Sequence, residues 1–266
     1  MIDISVVMGV YQIRDRKKFV QSVQSVLDQS LENLELIICD DGSGDDTLDF
    51  VKKVAVQDHR IVVLEQPQNR GLASALNLCI EVARGKYIAR QDDDDVSKLN
   101  RLEKEYAFLE THPKIGFVGS NAELIYNNRV WGTLSTTPNP NLRDFLWTNP
   151  YIHPTVMFRK DALLSVNGYR VAPETKRSED YDLFMRLFAS GIVGHNIQEK
   201  LYTYEMSQSN TRYRSFSERW EEAVVRYKGF RLLHAGIKGI PFVFKPIIIG
   251  LLPQSLLNVF HLRMFN

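Results

Sequence analysis

Cysteine, net charge and long apolar runs are all scarce in this sequence. Cys39 and Cys79 are the two cysteines among 266 residues. Each lies in an apolar run without zinc-ligand spacing, so we expect buried thiols in a reducing compartment. A run of about 18 apolar residues, which a membrane-spanning helix requires, does not occur. The formal net charge of +1 gives no field that would draw the chain to nucleic acid.

The N-terminal segment MIDISVVMGVY lacks the basic start and the long apolar stretch of a signal peptide. We interpret it as the first strand of the fold and expect a cytoplasmic protein. With 44% hydrophobic and 24% charged residues, the chain has an ordinary globular composition. Its length fits one large domain, with or without an added tail, that buries its core without disulfides or a structural metal.

Short apolar runs alternate with helical patterns through the first hundred residues. Nearly continuous β-branched runs predict strands buried on both faces. They span Ile4–Val10, Leu34–Cys39, Ile61–Leu64 and Tyr87–Ala89. Between them, apolar residues recur at helical spacing. Because this alternation favours right-handed crossovers, the sequence predicts an α/β fold with a Rossmann-like, mostly parallel central sheet flanked by helices.

The remaining chain is more mixed. We predict strands at Phe117–Val118, Glu123–Tyr126 and Thr155–Phe158, and helices after Leu99, from Asp180 to Ala189 and from Phe216 to Leu233. From Ile240 onward the chain is apolar and interrupted by prolines.

Two acidic clusters follow predicted strands, at the edge where open parallel sheets bind ligands. The run Asp92–Asp95 follows the fourth strand. Four adjacent carboxylates repel one another unless a cation lies nearby, and oxygen ligands suit Mg²⁺ or Mn²⁺ shared with a nucleotide diphosphate. The alternative is an acidic first turn that stabilises the helix beginning near Lys98.

The other cluster and two further segments are weaker candidates. A carboxylate of the Asp40–Ser43 segment could accept a hydrogen bond from a nucleobase N–H, or the segment is a turn in which Asp and Gly serve their backbone preferences. Asn69–Gly71 opens a helix whose backbone N–H groups could face a phosphate, or it is a turn without a ligand. Asp180 is a candidate general base, or one of several acidic residues that stabilise a helix N-terminus. His153 and the tryptophans Trp131, Trp147 and Trp220 are more typical of structural positions.

Taken in order, these segments resemble the family 2 glycosyltransferases of the GT-A fold, especially bacterial members that build surface polysaccharides. The resemblance rests on SVVMGVY at Ser5–Tyr11, LELIICDDGSGDDT at Leu34–Thr47, NRGLASALN at Asn69–Asn77, GKYIARQDDDDVS at Gly85–Ser97, HPTVMFRK at His153–Lys160, NGY at Asn167–Tyr169 and EDYDLFMRL at Glu179–Leu187. It implies a catalytic domain over residues 1–215 and a helical, apolar C-terminal extension over residues 216–266.

The resemblance also implies a role for each matching residue. Val10 and Tyr11 would line the nucleotide pocket, and Asp41 would read the base. Asp92, with Asp93 as an alternative, would contact the ribose. Asp94 would hold Mn²⁺ or Mg²⁺ on the diphosphate, and Asp180 would be the catalytic base.

Two positions depart from the family pattern. Gln12 stands where an Asn usually follows the tyrosine of the first motif. Tyr204-Glu205-Met206-Ser207 stands where a YR-x-H element often helps to bind the diphosphate. Both basic residues are missing there, and Arg212 and Arg214 are the nearby substitutes.

The resemblance implies inverting transfer of a sugar from a nucleotide-diphosphate sugar, with UDP as the expected nucleotide, to a saccharide acceptor hydroxyl. We expect the acceptor to be lipid-linked and the tail Ile237–Phe265 to lie on the inner face of the cell membrane. The alternative is that this tail packs on the catalytic domain or on another subunit. A nucleotidyltransferase and a non-catalytic nucleotide-sugar or glycan-binding module are the competing functions.

Overall fold

The computed structural model describes residues 2–127, 129–206 and 214–251. The strands are β1 Ile4–Val10, β2 Leu34–Asp40, β3 Ile61–Glu65, β4 Tyr87–Arg90, β5 Val96–Ser97, β6 Ile115–Tyr126, β7 Arg129–Leu134, β8 Met157–Arg159 and β9 Val193–Glu205. The helices are α1 Arg16–Leu27, α2 Thr47–Ala55, α3 Leu72–Val82, α4 Arg101–Thr111, α5 Leu142–Trp147, α6 Lys160–Ser165, α7 Glu179–Ala189, α8 Phe216–Leu232 and α9 Ile240–Leu251.

The N-terminal half of the sheet is parallel, in the order β3-β2-β1-β4. Side chains of β1 alternate between two layers, as the strand period of two requires. Val6 and Met8 belong to the core that includes α1, while Val7 belongs to the core that includes α3. The Rossmann-like sheet with helices on both faces is therefore confirmed for this half.

The second half of the sheet is mixed. The order continues as β8-β6-β9-β5, with β7 paired to β6. β8 is antiparallel to β4 and β6, whereas the long strands β6 and β9 are parallel to each other. Antiparallel β8 therefore joins the two parallel parts of the sheet, β3-β2-β1-β4 on one side and β6-β9 on the other.

Two details of the sequence prediction are wrong in this region. The predicted strands Phe117–Val118 and Glu123–Tyr126 are parts of one strand, β6. Ser120 and Asn121 between them are buried, and their polarity imitated a break. The Asn121 side chain accepts a hydrogen bond from the Thr136 amide, and the Ser120 backbone amide donates to Thr155. Thr155 itself ends a 3₁₀ turn, and β8 begins two residues later.

The C-terminal helices pack in succession on the body. Val225 and Phe230 of α8 belong to the same core as α7, and α9 packs on α8, where Arg219 donates a hydrogen bond to the Pro246 carbonyl. One stripe of α9, formed by Ile240, Phe244, Ile248 and Leu251, is exposed. Across the described ranges, no helix has both the length and the apolar character needed to cross a bilayer. The division at residue 215 stays a prediction, and residues 252–266 of the predicted tail lie outside the described residues.

Candidate active site

Asp41 holds two loops together at the edge of the parallel strands. Its side chain is 4% exposed. One carboxylate oxygen accepts hydrogen bonds from Gln66 Nε2 at 3.1 Å and from the Arg70 amide at 2.9 Å. The other accepts one from the Gly71 amide at 2.8 Å. Asp41 therefore fixes the turn that opens α3, and its role toward a nucleobase stays a prediction.

The Asn69–Gly71 turn was open to two interpretations, a phosphate site made by backbone N–H groups or a turn without a ligand. The Arg70 and Gly71 amides both donate to Asp41, so these two do not face a phosphate, and the binding role of the segment stays a prediction. Gly71 has φ of +90°, a conformation that glycine adopts at little cost. Asn69 and Arg70 are exposed at the tip of the turn, so their side chains are the parts of this segment that can still reach a ligand.

The loop after β1 lies against the loop after β2. The Val10 carbonyl accepts a hydrogen bond from the Asp41 amide at 2.9 Å, and the Gln12 amide donates to Ser43 Oγ at 2.9 Å. Val10 is buried, whereas Tyr11 is 47% exposed between these anchored neighbours. The structure thus gathers Val10, Tyr11 and Asp41 at one edge, with the Tyr11 ring free to meet a ligand.

Arg90 is a part of the site that sequence reasoning missed. Its guanidinium is 1% exposed at the end of β4 and forms an ion pair with Asp92. A second hydrogen bond goes to the Gln91 carbonyl. The available signal was a cation inside an otherwise apolar strand, directly before four carboxylates. Arg90 therefore compensates the charge of Asp92, and it forms no ion pair with the other three carboxylates of the run.

Asp93 and Asp94 face the open side of the acidic run. Within the described part of the chain, no side-chain donor contacts either carboxylate. Burial raises the pKa of Asp93 to about 7, and the charges of Asp94 and Asp92 add to the effect. Burial followed by the Asp92 charge also raises the pKa of Asp94. Asp94 is nevertheless accessible to solvent, so its carboxylate can meet a ligand.

Asp95 has a different position from its neighbours. It is 2% exposed, and one carboxylate oxygen accepts a hydrogen bond from the Glu205 amide at 2.8 Å. Its other oxygen has no hydrogen-bond partner, and burial raises its pKa well above the ordinary value. Asp95 therefore anchors the end of β9 inside the protein, and Asp92 to Asp94 form the accessible part of the run.

The accessible carboxylates fit a divalent cation that is shared with a ligand. Among the described residues, no group of three or more His, Cys, Asp or Glu side chains is arranged to hold a metal alone. Mg²⁺ commonly takes one or two carboxylates and completes its coordination with phosphate oxygens and water. Burial and the neighbouring carboxylates raise the pKa of Asp93 and Asp94 although Arg90 and Lys18 oppose the effect, and a bound cation would favour the ionised form of both.

Asp180 lies in the first turn of α7. Asn149 Nδ2 donates to one carboxylate oxygen at 2.8 Å, and the Tyr181 amide donates to the other at 2.7 Å. Burial raises the pKa of Asp180 despite these donors. The adjacent Glu179 has a pKa raised to about 7, by burial first and then by Asp180. Asp180 is thus oriented and partly desolvated, which suits a group that accepts a proton.

Tyr204 connects the two carboxylate groups in space. Burial raises the pKa of its hydroxyl, and the charges of Asp92, Asp95, Asp94 and Asp180 raise it further. The same phenol therefore lies within the field of both the acidic run and α7. Tyr169 is placed similarly, since Asp180, Glu179 and Asp92 all raise its pKa after burial does.

His153 belongs to the wall of this cleft. Its Nε2 lies 2.7 Å from the Tyr169 hydroxyl. Burial, aided by the charge of Arg90, lowers its pKa well below the ordinary value, so the ring is neutral. The neutral ring and its fixed partner agree with the structural interpretation of this histidine.

The late stretch Tyr204-Glu205-Met206 has a different set of contacts from those of a basic motif. Glu205 pairs with Lys18 of α1 at 2.8 Å. Arg214 pairs with Glu222 at 2.6 Å, and its charge lowers the pKa of Asp180. Ser207 and the alternative substitute Arg212 lie outside the described residues.

The tryptophans have protein contacts of their own or lie at the surface. Trp131 donates to the Met206 carbonyl at 2.6 Å, and Trp220 is 56% exposed on α8. Trp147 is 59% exposed, with Lys245 Nζ 3.7 Å from its ring centroid. None of these contacts indicates a sugar-stacking position.

Comparisons with known proteins bear on the family. The family model described as Glycosyl transferase family 2 matches residues 5–166. The chain is 36% identical over 261 residues to a Bacillus subtilis protein named putative glycosyltransferase EpsE, covering 97% of this chain and 92% of that protein. It is 29% identical to the Escherichia coli protein named UDP-Glc:alpha-D-GlcNAc-diphosphoundecaprenol beta-1,3-glucosyltransferase WfaP, covering 73% of each.

Solved structures agree on the fold. Staphylococcus aureus TarS 1-349 in complex with UDP-GlcNAc superposes with a TM-score of 0.66 at 18% identity, covering 85% of this chain and 66% of that one. Mannosyltransferase PcManGT from Pyrobaculum calidifontis, in complex with GDP-Man and Mn²⁺, gives 0.62 at 18% identity, covering 98% and 72%. The chain therefore belongs to glycosyl transferase family 2 and is a glycosyltransferase of the GT-A fold.

Proposed function

We propose that this enzyme transfers a sugar from a UDP-sugar to an acceptor hydroxyl, with inversion at the anomeric carbon and with Mn²⁺ or Mg²⁺. The observation that carries the proposal is that Asp92, Asp94 and Asp180 all act on the pKa of the Tyr204 hydroxyl, as expected for carboxylates that lie in one region. One side of this cleft holds carboxylates that need a cation. The other side holds an oriented carboxylate whose pKa is raised.

The donor would lie across the ends of β1, β2 and β4. Val10 and Tyr11 would line the nucleotide pocket, with Asp41 on the base and Asp92 or Asp93 on the ribose. Asn69 would approach from the exposed turn before α3. Adjacent strands lie about 4.8 Å apart, so the two acidic segments, separated by β1, are roughly 10 Å apart, a distance that a nucleotide spans. UDP is supported by the name of WfaP and by the UDP-GlcNAc complex of TarS.

In the reaction, Asp180 would remove the proton from the acceptor hydroxyl as its oxygen attacks the anomeric carbon. The new glycosidic bond would form on the face opposite the breaking bond to the diphosphate. Asp94 would hold the cation, which when bound neutralises the charge that develops on the departing diphosphate. Asn149 and the Tyr181 amide would keep the Asp180 carboxylate in position, and binding both substrates in line supplies much of the rate.

We also propose a role in bacterial surface polysaccharide synthesis with a lipid-linked acceptor. WfaP is named for a diphosphoundecaprenol-linked acceptor. Residues 229–266 contain four basic residues and no Asp or Glu: Arg231, Lys238, Lys245 and Arg263. Together with the exposed apolar stripe of α9, this charge suits the anionic inner face of the cell membrane, where the enzyme would act from the cytoplasm.

A screen of nucleotide sugars with Mn²⁺ or Mg²⁺ tests the activity. We expect release of nucleoside diphosphate, and Asp180→Asn should lower kcat by about 10²-fold to 10⁴-fold while donor binding persists. Release of pyrophosphate from a nucleoside triphosphate would instead identify a nucleotidyltransferase. Donor binding without turnover in the wild type would leave a non-catalytic binding module.

A further inference from the structure

Lys18 lies at the acidic edge of the cleft, on the first turn of α1. Its ammonium pairs with Glu205 at 2.8 Å, and the two side chains are 36% and 12% exposed. One turn later, Ser22 Oγ donates to the Asp92 carbonyl at 2.7 Å. The face of α1 that carries Lys18 is therefore fixed against the loop of the acidic run.

The backbone places this pair against the acidic run, because the Glu205 amide donates to the Asp95 carboxylate at 2.8 Å. The charges of the pair also reach Asp94: after burial and Asp92 have raised the pKa of Asp94, Lys18 lowers it and Glu205 raises it. The interaction is reciprocal, since Asp94 is among the groups that raise the pKa of Lys18. Lys18 is thus within electrostatic range of the carboxylate that we assign to the cation and diphosphate.

Two other cations near the acidic run already have fixed partners. Arg90 is buried and paired with Asp92, and Arg214 pairs with Glu222. Lys18 differs because its side chain is partly exposed and its four-carbon stem is flexible, so its ammonium can exchange one anionic partner for another. Glu205 alone would repel a diphosphate at this edge, and Lys18 removes that repulsion.

We propose that Lys18 binds the diphosphate of the donor, with Glu205 holding the ammonium in place until the donor arrives. In the donor complex, Lys18 Nζ donates to a phosphate oxygen and the Glu205 carboxylate is released. This assignment rests on the proposed function, since it places a nucleoside diphosphate beside Asp94. It supplies from α1 the positive charge that the Tyr204-Glu205-Met206 stretch lacks.

Equilibrium binding of UDP and GDP, each compared with its free nucleoside, tests the proposal in the presence and absence of Mg²⁺. Lys18→Gln should weaken binding of the diphosphate by about 10-fold or more, the loss expected for one charge-assisted hydrogen bond. Binding of the nucleoside should not change. Lys17→Gln is the matched control, because it removes the same charge from the neighbouring exposed position. Lys18→Arg should restore part of the affinity, and thermal unfolding verifies that each variant is folded.

Glu205→Gln gives a second result of opposite sign. Because it frees the ammonium, diphosphate binding should become tighter, most clearly without Mg²⁺. Equal diphosphate binding by wild type and Lys18→Gln would overturn the assignment, as would weaker binding by Glu205→Gln. Wild-type protein that binds neither diphosphate would instead refute the proposed donor site, and the Lys18 assignment with it.

Discussion

The hydrogen bond from Asn149 to Asp180 makes the pH dependence of transfer a sharp test. Burial raises the pKa of Asp180, and the Asn149 amide opposes this by stabilising the ionised carboxylate at 2.8 Å. Asn149→Ala removes that donor, so the pKa of Asp180 should rise further. A base must be ionised to accept a proton, and the acidic limb of the kcat/KM profile should therefore move to higher pH.

The size of the shift follows from the strength of the bond. A hydrogen bond to a charged group contributes about 1.5–3 kcal/mol, and one pKa unit corresponds to about 1.4 kcal/mol. Asp180 is partly accessible, and water replaces some of the lost interaction. We therefore expect a shift of roughly one pH unit.

The measurement is kcat/KM for donor and acceptor between about pH 5 and 9, the range in which a raised carboxylate pKa is observed. Asn139→Ala is the control, because it removes an exposed asparagine whose partner is His195 and not a site carboxylate. An acidic limb that stays in place in Asn149→Ala, or that moves to lower pH, would show that Asp180 is not the titrating base.

Three further predictions concern the metal, the loops and the membrane. Asp94→Ala should lower kcat/KM by on the order of 10²-fold or more and abolish its dependence on Mn²⁺ concentration; unchanged metal titration would contradict the assigned role. Gly42→Ala should lower the free energy of unfolding, measured with urea, more than Gly44→Ala does. Both glycines have positive φ, but a Cβ at Gly42 would lie 2.3 Å from the neighbouring loop backbone, whereas one at Gly44 meets nothing within 4 Å. The double variant Phe244→Ser, Ile248→Ser should sediment less with anionic vesicles than wild type, and equal sedimentation would favour packing of α9 on another surface.

The N-terminal half of the fold was predictable from sequence because its strands are buried on both faces. Such strands are continuous apolar runs, and β1 and β2 match the predicted ranges to within one residue. β9 is different, since it contains charged residues such as Glu199 and Lys200 that face solvent, and no pattern of the sequence marked it as a 13-residue strand. β5 is only two residues long, so it carries no pattern at all.

The sequence indicated which residues belong to the site but not how they contact one another. The acidic run and Asp180 are visible as carboxylates after a strand and at a helix start. Asp41 was correctly predicted as a polar residue at the sheet edge. Its hydrogen bonds from the Arg70 and Gly71 amides were not predictable, because they depend on how two loops pack. Lys18 and Tyr204 were not found, because their relation to the acidic run exists only after α1 and β9 have been brought beside it.

The clamp made by Asp41 has a consequence for how tightly a donor is held. The turn before α3 is fastened to the loop after β2 by three hydrogen bonds that need no ligand. These two loops are therefore already ordered before a nucleotide binds, and little conformational entropy is lost in ordering them on binding. The affinity for the nucleotide should therefore owe little to ordering of these loops on binding. Discrimination between bases should come from how well each base fits a rigid surface.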